Sequence, residues 1–192
     1  MATLITHGLA PLAGGGLIRL LSGKKLPGDF WRAAIACGLV PDLDVLAFGF
    51  GIPYSSPWGH RGFSHSLTFA LVFSFLVASL GFASEEEWRR RWPALWPFFF
   101  LTMVFHGLTD AMTDGGLGVG FFVPFSQTRY FLPWRPLVVS PIGVHGLFSR
   151  YGVEIMRSEL LYVWLPILGL LIVAAVIHHF RRLSRRDLRE NT

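Results

Sequence analysis

Residues 160–180 contain no Asp, Glu, Lys or Arg in a run of 21. A helix needs roughly 20 apolar residues to cross the hydrocarbon of a bilayer, so this run reads as a transmembrane span. Residues 66–83 and 92–112 are comparable in length and apolarity. Two weaker segments precede them, residues 7–21 and 30–50. The first is interrupted by Gly14, Gly15 and Gly16, and the second by Pro41 with the carboxylates Asp42 and Asp44. The expected fold is therefore all-α, a polytopic helical membrane protein of about five apolar segments, three of them strong spans. A single membrane-embedded domain over residues 1–180 would end in a basic tail over 181–192. No Lys or Arg precedes the first apolar stretch, so a cleavable signal peptide is not expected.

Composition agrees: 52% of residues are apolar and 15% charged, where a soluble domain has roughly 25% charged. This excludes a disordered chain, a coiled coil and a disulfide scaffold. Cys37 is the one cysteine, so any metal site must be built from His and carboxylates. The net charge of +5 is not a nucleic-acid signal, because Lys and Arg gather at the ends of apolar runs. Lys24, Lys25 and Arg32 form one group, Arg89, Arg90 and Arg91 a second, and the Arg-rich tail a third. Basic residues so placed mark cytoplasmic flanks of membrane helices and meet acidic lipid heads. That gives an N-out, C-in topology. Ser84 and Glu87 form a capping box that would start the helix of the second strong span.

Histidines and aspartates fall at the opposite, outer ends of these segments. His7 opens the first, Asp42 and Asp44 lie late in the second, and His60 and His65 precede the first strong span. His106 and Asp110 lie in the outer half of the next, and Asp110 is 18 residues beyond Trp92 as His65 is 18 before Ala83. His106 and Asp110, at i and i+4, share one helix face and suit one divalent ion. Ionisable groups in apolar spans are costly and need partners or a polar cavity. Asp42 and Asp44 can both act only where the backbone turns, which Pro41 favours; a water-exposed helix end is the plainer alternative. Arg61, between the two imidazoles, suits bidentate phosphate contact, unless the loop is merely solvated with Ser64 as a helix cap.

Arg129 and Arg135 lie among Tyr130, Phe131 and Trp134, either as an aromatic–basic interface or as a grip on an anionic head group. His145 and Asp114 are minor candidates. His178 and His179 read as interfacial anchors, and Glu154 and Glu159 as solvated.

The ordered motifs His7-Gly8, Leu39-Val40-Pro41-Asp42-Leu43-Asp44, His60-Arg61-Gly62-Phe63-Ser64-His65-Ser66 and His106-Gly107-Leu108-Thr109-Asp110 resemble the YdjM/YbcI family of bacterial inner-membrane proteins. So do Thr113-Asp114-Gly115-Gly116, Pro124-Phe125-Ser126 and Pro133-Trp134-Arg135-Pro136. That family is described as membrane-bound metal-dependent hydrolases, also called LexA-binding, inner membrane-associated hydrolases. The resemblance implies a bacterial inner-membrane location and a hydrolase class, with no substrate named. A fainter similarity to the all-α zinc phospholipase C group implies phosphoester chemistry, although only one His-x-x-x-Asp pair is present here.

The expected function is metal-dependent hydrolysis of a phosphoester in a lipid-linked or amphiphilic substrate at the outer membrane face. Zn²⁺, or alternatively Mn²⁺, would be held by His60, His65, His106 and Asp110 with His7, Asp42 and Asp44. Asp44 and Arg61 are the candidate catalytic groups, and Arg61, Arg129 and Arg135 the candidate substrate contacts. Membrane lipids are the expected partners, with no nucleic acid. A metal transporter, which needs a polar path to the inner side, and a scaffold with a closed structural metal site are the alternatives.

Overall fold

The computed structural model describes residues 1–82, 86–142 and 148–190. Among the described residues the α-helices are α1 (Leu4–Ser22), α2 (Gly28–Leu39), α3 (Leu67–Gly81), α4 (Glu86–Ala111), α5 (Arg150–Glu159) and α6 (Leu165–Glu190). A 3-10 helix, Val40–Phe50, continues α2, and a π-helical turn, Leu160–Trp164, joins α5 to α6. Among the described residues β structure is limited to two isolated bridges, Thr113 with Leu137 and Val119 with Tyr130. Leu4–Ser22, Gly28–Phe50 and Arg150–Ser184 are long and apolar enough to cross a membrane, and Leu67–Gly81 is a shorter apolar helix. The capping box at Ser84 and the candidate His145 lie outside the described residues.

The segments read as strong fall on α3, α4 and the continuous α5–α6 rod. Among the described residues, however, the two read as weaker are, with that rod, the ones long and apolar enough to span, and α3 is shorter. The glycine run at 14–16, expected to break the first segment, lies inside an unbroken α1. Glycine there serves packing: a Cβ on Gly15 would stand 2.6 Å from the Trp31 ring of α2. Between membrane helices, where no water is expelled, such close backbone approach is what holds partners together. The same logic acts at Gly38, where a Cβ would lie 2.4 Å from the His7 carbonyl oxygen. On α3, Ala70, Ser74 and Ala78 recur every fourth residue and are the buried ones. This strip of small side chains lets α3 close on α4. Phe30, Cys37, Phe82, Leu95, Phe99 and Met103 fill the resulting core.

Pro41 ends the α-helical pattern of the second segment, and the chain tightens into the 3-10 helix. Two positions apart on a helix, Asp42 and Asp44 point in different directions. Ser66, not Ser64, caps α3, its hydroxyl accepting from Phe69 N at 3.0 Å.

Glu159 corrects a sequence expectation. It is fully buried rather than solvated, and its carboxylate accepts from Thr3 N, Thr3 Oγ1 and Thr6 Oγ1, each at 2.5 Å. The reason lies in the free N–H groups and positive pole at the start of α1, which has no acidic residue of its own in its first turn. The π turn absorbs an extra residue, so Glu159 faces α1 while the apolar residues of α6 keep facing outward. Trp164 Nε1 completes the clamp by donating to Thr6 Oγ1 at 2.8 Å. Glu159→Ala leaves three donors without acceptors and is expected to cost about 1–3 kcal/mol. Thermal unfolding of the detergent-purified variant beside Glu159→Gln measures it, and an unchanged midpoint in Glu159→Ala would refute the clamp.

Candidate metal centre

The start of α1, the 3-10 helix after α2, the loop before α3 and the end of α4 meet at one end of the bundle. They bring His7, Asp42, Asp44, His60, Arg61, His65, His106 and Asp110 together, as the sequence spacing implies. Two overlapping groups of ligand atoms result. His7, Asp42, His106 and Asp110 form one, Asp42, His60 and His65 the other, with all ligand atoms of a group within 4.8 Å of one another. All of these side chains are buried.

The far nitrogen of most imidazoles is already committed. His106 Nδ1 lies 2.7 Å from Gly38 O, which accepts only, so that nitrogen carries the proton and Nε2 is left to the centre. His60 Nδ1 donates to Asp44 Oδ1 at 2.6 Å, leaving Nε2 without a partner. Ser64 Oγ donates to Asp44 Oδ2 at 2.6 Å, and His65 Nδ1 faces both that hydroxyl and that carboxylate, at 2.9 and 3.1 Å. His65 is therefore protonated on Nδ1. These tautomers follow from the partners. Asp44, expected among the ligands, lies in neither group: it stands behind His60 and His65 and also accepts from Arg61 N at 3.0 Å. Carboxylate–imidazole pairs of this kind orient metal-binding histidines.

One contact is decisive for the electrostatics. His106 Nε2 and His65 Nε2 lie 3.0 Å apart. With both Nδ1 atoms protonated, two lone pairs would oppose each other unless a proton or a metal cation sits between them. Nearby, Asp42 Oδ1 is 3.6 Å from His65 Nε2 and 3.5 Å from His106 Nε2, and Asp110 Oδ2 is 3.4 Å from His65 Nε2. Burial opposes protonation of His65, yet Asp110, Asp42 and Asp44 outweigh it and hold the imidazole well above the usual histidine range. Asp42, Asp44 and Asp110 crowd the centre, with Arg61 paired to Asp110 and Arg129 on the Asp44 side. Both oxygens of Asp42, both nitrogens of His7 and Nε2 of His60 are buried without a hydrogen-bond partner. Orphaned polar atoms in apolar surroundings are expensive. Donor type, charge and unmet bonding capacity all fit a divalent cation.

Arg61 is fully buried and faces inward. Its Nε donates to Asp110 Oδ2 at 3.1 Å, one terminal nitrogen to Gly115 O at 3.1 Å and the other to Thr113 Oγ1 at 3.0 Å. Its backbone has φ 60, unusual for a residue with a side chain, and is held by the Asp44 carboxylate and by Gly120 N, which donates to Arg61 O. Asp110 Oδ1 accepts from Ala2 N at 2.7 Å, so both its oxygens are aligned from outside the centre.

The chain matches the family described as YdjM inner membrane protein over residues 1–181. It belongs to that family. It is also 39% identical over 171 residues to Inner membrane protein YbcI of Escherichia coli (strain K12), covering 86% of this chain and 92% of that one. No solved structure matches it.

In this YdjM-family chain the two outlying arginines have different surroundings. Arg129 donates to the carbonyl oxygens of His60, Tyr54 and Ser56 at 2.9, 3.0 and 2.9 Å, tying the loop that carries His60. Arg135 stands exposed over the Phe131 ring, apart from the cluster. Asp114 Oδ1 accepts from Val139 N, within the loop that follows α4. Sequence reasoning missed the supporting residues: Gly38, through its carbonyl, Thr113 and Glu159. Glu159 had one legible signal, a carboxylate adjoining the most apolar run of the chain. Nothing in the sequence marks Gly38 O as a partner for His106.

Proposed function

We propose that this protein is a metal-dependent hydrolase that cleaves a phosphoester in an amphiphilic substrate at the membrane. The observation that supports the reading is the facing pair His65 Nε2 and His106 Nε2, ringed by Asp42 and Asp110, which calls for a proton or a metal ion between the two nitrogens. His7, Asp42, His106 and Asp110 would hold one ion, and His60 and His65 a neighbouring one, with Asp42 common to both. Zn²⁺ suits the imidazole and carboxylate donors, and Mn²⁺ is the alternative. A divalent metal there supplies Lewis acidity toward a phosphoryl oxygen and makes water a usable nucleophile near neutral pH.

The chain's own residues prepare this chemistry. Asp44 sets the orientation of His60 and His65, Gly38 O that of His106, and Arg61 that of Asp110. Through Asp110, Arg61 acts as a positioning group, since its guanidinium bonds all go to protein atoms. The apolar helices around the cluster keep bulk water out and so strengthen each charge interaction inside. The basic residues supply the orientation: Lys24, Lys25, Arg32, Arg89–Arg91 and the Arg-rich end of α6 lie at the end of the bundle away from the cluster. By the positive-inside rule the centre would lie toward the outer face of the inner membrane. Transport of the metal is less favoured, because the space leading away from His7 and His106 is walled by Leu17, Ile18, Phe98 and Leu101.

Metal analysis of detergent-purified protein, wild type beside His106→Ala, tests the reading together with hydrolysis of a chromogenic phosphomonoester. About one to two equivalents of metal in the wild type, lost in the variant along with turnover, are expected. A wild type that stays metal-free after reconstitution with Zn²⁺ or Mn²⁺ sinks it. Metal bound without any turnover leaves the scaffold and overturns the hydrolase.

A further inference from the structure

A groove of about 360 Å³ runs between α1, α4 and α6 and ends on His7 and His106. Its walls are apolar, formed by Pro11, Gly14 and Leu17 of α1, Phe98 and Leu101 of α4 and Leu170 of α6. Thr102, also on its wall, donates its hydroxyl to Phe98 O at 2.9 Å and so offers no free donor. Leu101 and Leu170 are more than half exposed, so the groove opens sideways toward the surroundings of the bundle. From His7 to Ile18 it follows α1 for about 16 Å at ~1.5 Å per residue. That is close to the depth of one leaflet, half of a ~30 Å hydrocarbon core. At the polar end the rings of His7 and His106 stack with centroids 3.7 Å apart. His7 is 2% exposed; its Nε2 faces Asp110 Oδ1 at 3.3 Å, and its Nδ1 has no hydrogen-bond partner.

The geometry points to this groove as the seat of a single hydrocarbon chain, belonging to a phosphate-headed amphiphile whose head lies at the His7/His106 end. The inference rests on the metal-centre reading for the head and on the groove's own dimensions for the tail. A chain entering from the adjacent leaflet keeps its methylenes in apolar surroundings throughout, so placing the head at the cluster requires no extraction of the tail into water. Gly14 provides the width at mid-groove, since a Cβ there would already come within 3.1 Å of the Phe98 ring.

Photolabelling with dodecyl phosphate carrying a terminal diazirine tests this on the full chain in detergent, with bound metal measured in the same samples. Label is expected in the peptides that hold Leu17, Ile18 and Phe98, and unlabelled dodecyl phosphate should displace it better than dodecanol. In Leu17→Trp and Leu101→Trp, which fill the groove at its end and at its mouth, label there should fall to the level found on α3, with metal content unchanged. Equal labelling of all lipid-facing helices, or groove label insensitive to both substitutions, would overturn the proposal, the first meaning bulk lipid-like contact only. Metal present without groove label overturns the groove and leaves the metal centre standing. Groove label with head-group preference but no metal supports the groove and fells the hydrolase.

Discussion

Protein carrying Asp42→Ala is expected to purify without bound metal and to regain none on reconstitution. Asp42 is the residue common to both groups of ligand atoms, and its oxygens have no hydrogen-bond partner elsewhere. Losing an outer partner of a metal ligand typically weakens binding by about 10–100-fold, and losing the shared ligand should exceed that. The response of stability to metal makes the result diagnostic. Without metal, Asp42 still faces the His65 and His106 imidazoles at 3.6 and 3.5 Å, so its removal should cost the apo protein some stability. With metal, wild type should gain stability and the variant should not. Elemental analysis and thermal unfolding with and without Zn²⁺ read both effects. Full metal retention by the variant would dismantle the proposed centre.

Arg61→Met should be among the most damaging single changes for folding. It removes the cation that neutralises Asp110, at a fully buried site. Breaking a buried pair by deleting one partner costs about 3–5 kcal/mol. Lysine should rescue little of this, because Arg61 serves Asp110, Gly115 and Thr113 through a planar fork that one ammonium cannot reproduce. Added metal should partly offset the loss, as a second cation near Asp110. Unfolding midpoints for wild type, Arg61→Lys and Arg61→Met check this, and a midpoint in Arg61→Met close to wild type would contradict the inward role of the guanidinium.

The convergence of His and Asp at one bundle end was legible because ionisable residues in apolar runs are few and their depth follows from counting along helices. Hydropathy likewise reached α3, α4 and α6, and the family resemblance covered the same motifs. Direction within a turn was not legible. Asp42 and Asp44 differ by two positions and so face different ways, but sequence does not say which faces the centre and which stands behind it. Arg61 read as a phosphate contact because sequence does not say which way a guanidinium in a loop points, and its positive φ turns on contacts with Asp44 and Gly120 far along the chain. The glycines of α1 look like a break in one dimension and become a packing surface only once Trp31 is opposite. Glu159 was misjudged for a related reason: the charge it satisfies, the start of α1, is some 150 residues away.

The ligands of the centre come from the start of α1, the end of the second segment, the approach to α3 and the end of α4. An ion held there would fasten the two helical hairpins to each other at one rim, while elsewhere they meet through small residues and aromatic rings. Folding and metal supply would then be linked by mass action, with the stability gained growing as the logarithm of free ion over its dissociation constant. Under metal starvation the hairpins would lose their common fastener first at the polar rim. The fraction of intact protein would thereby report the availability of the ion in the compartment that the rim faces.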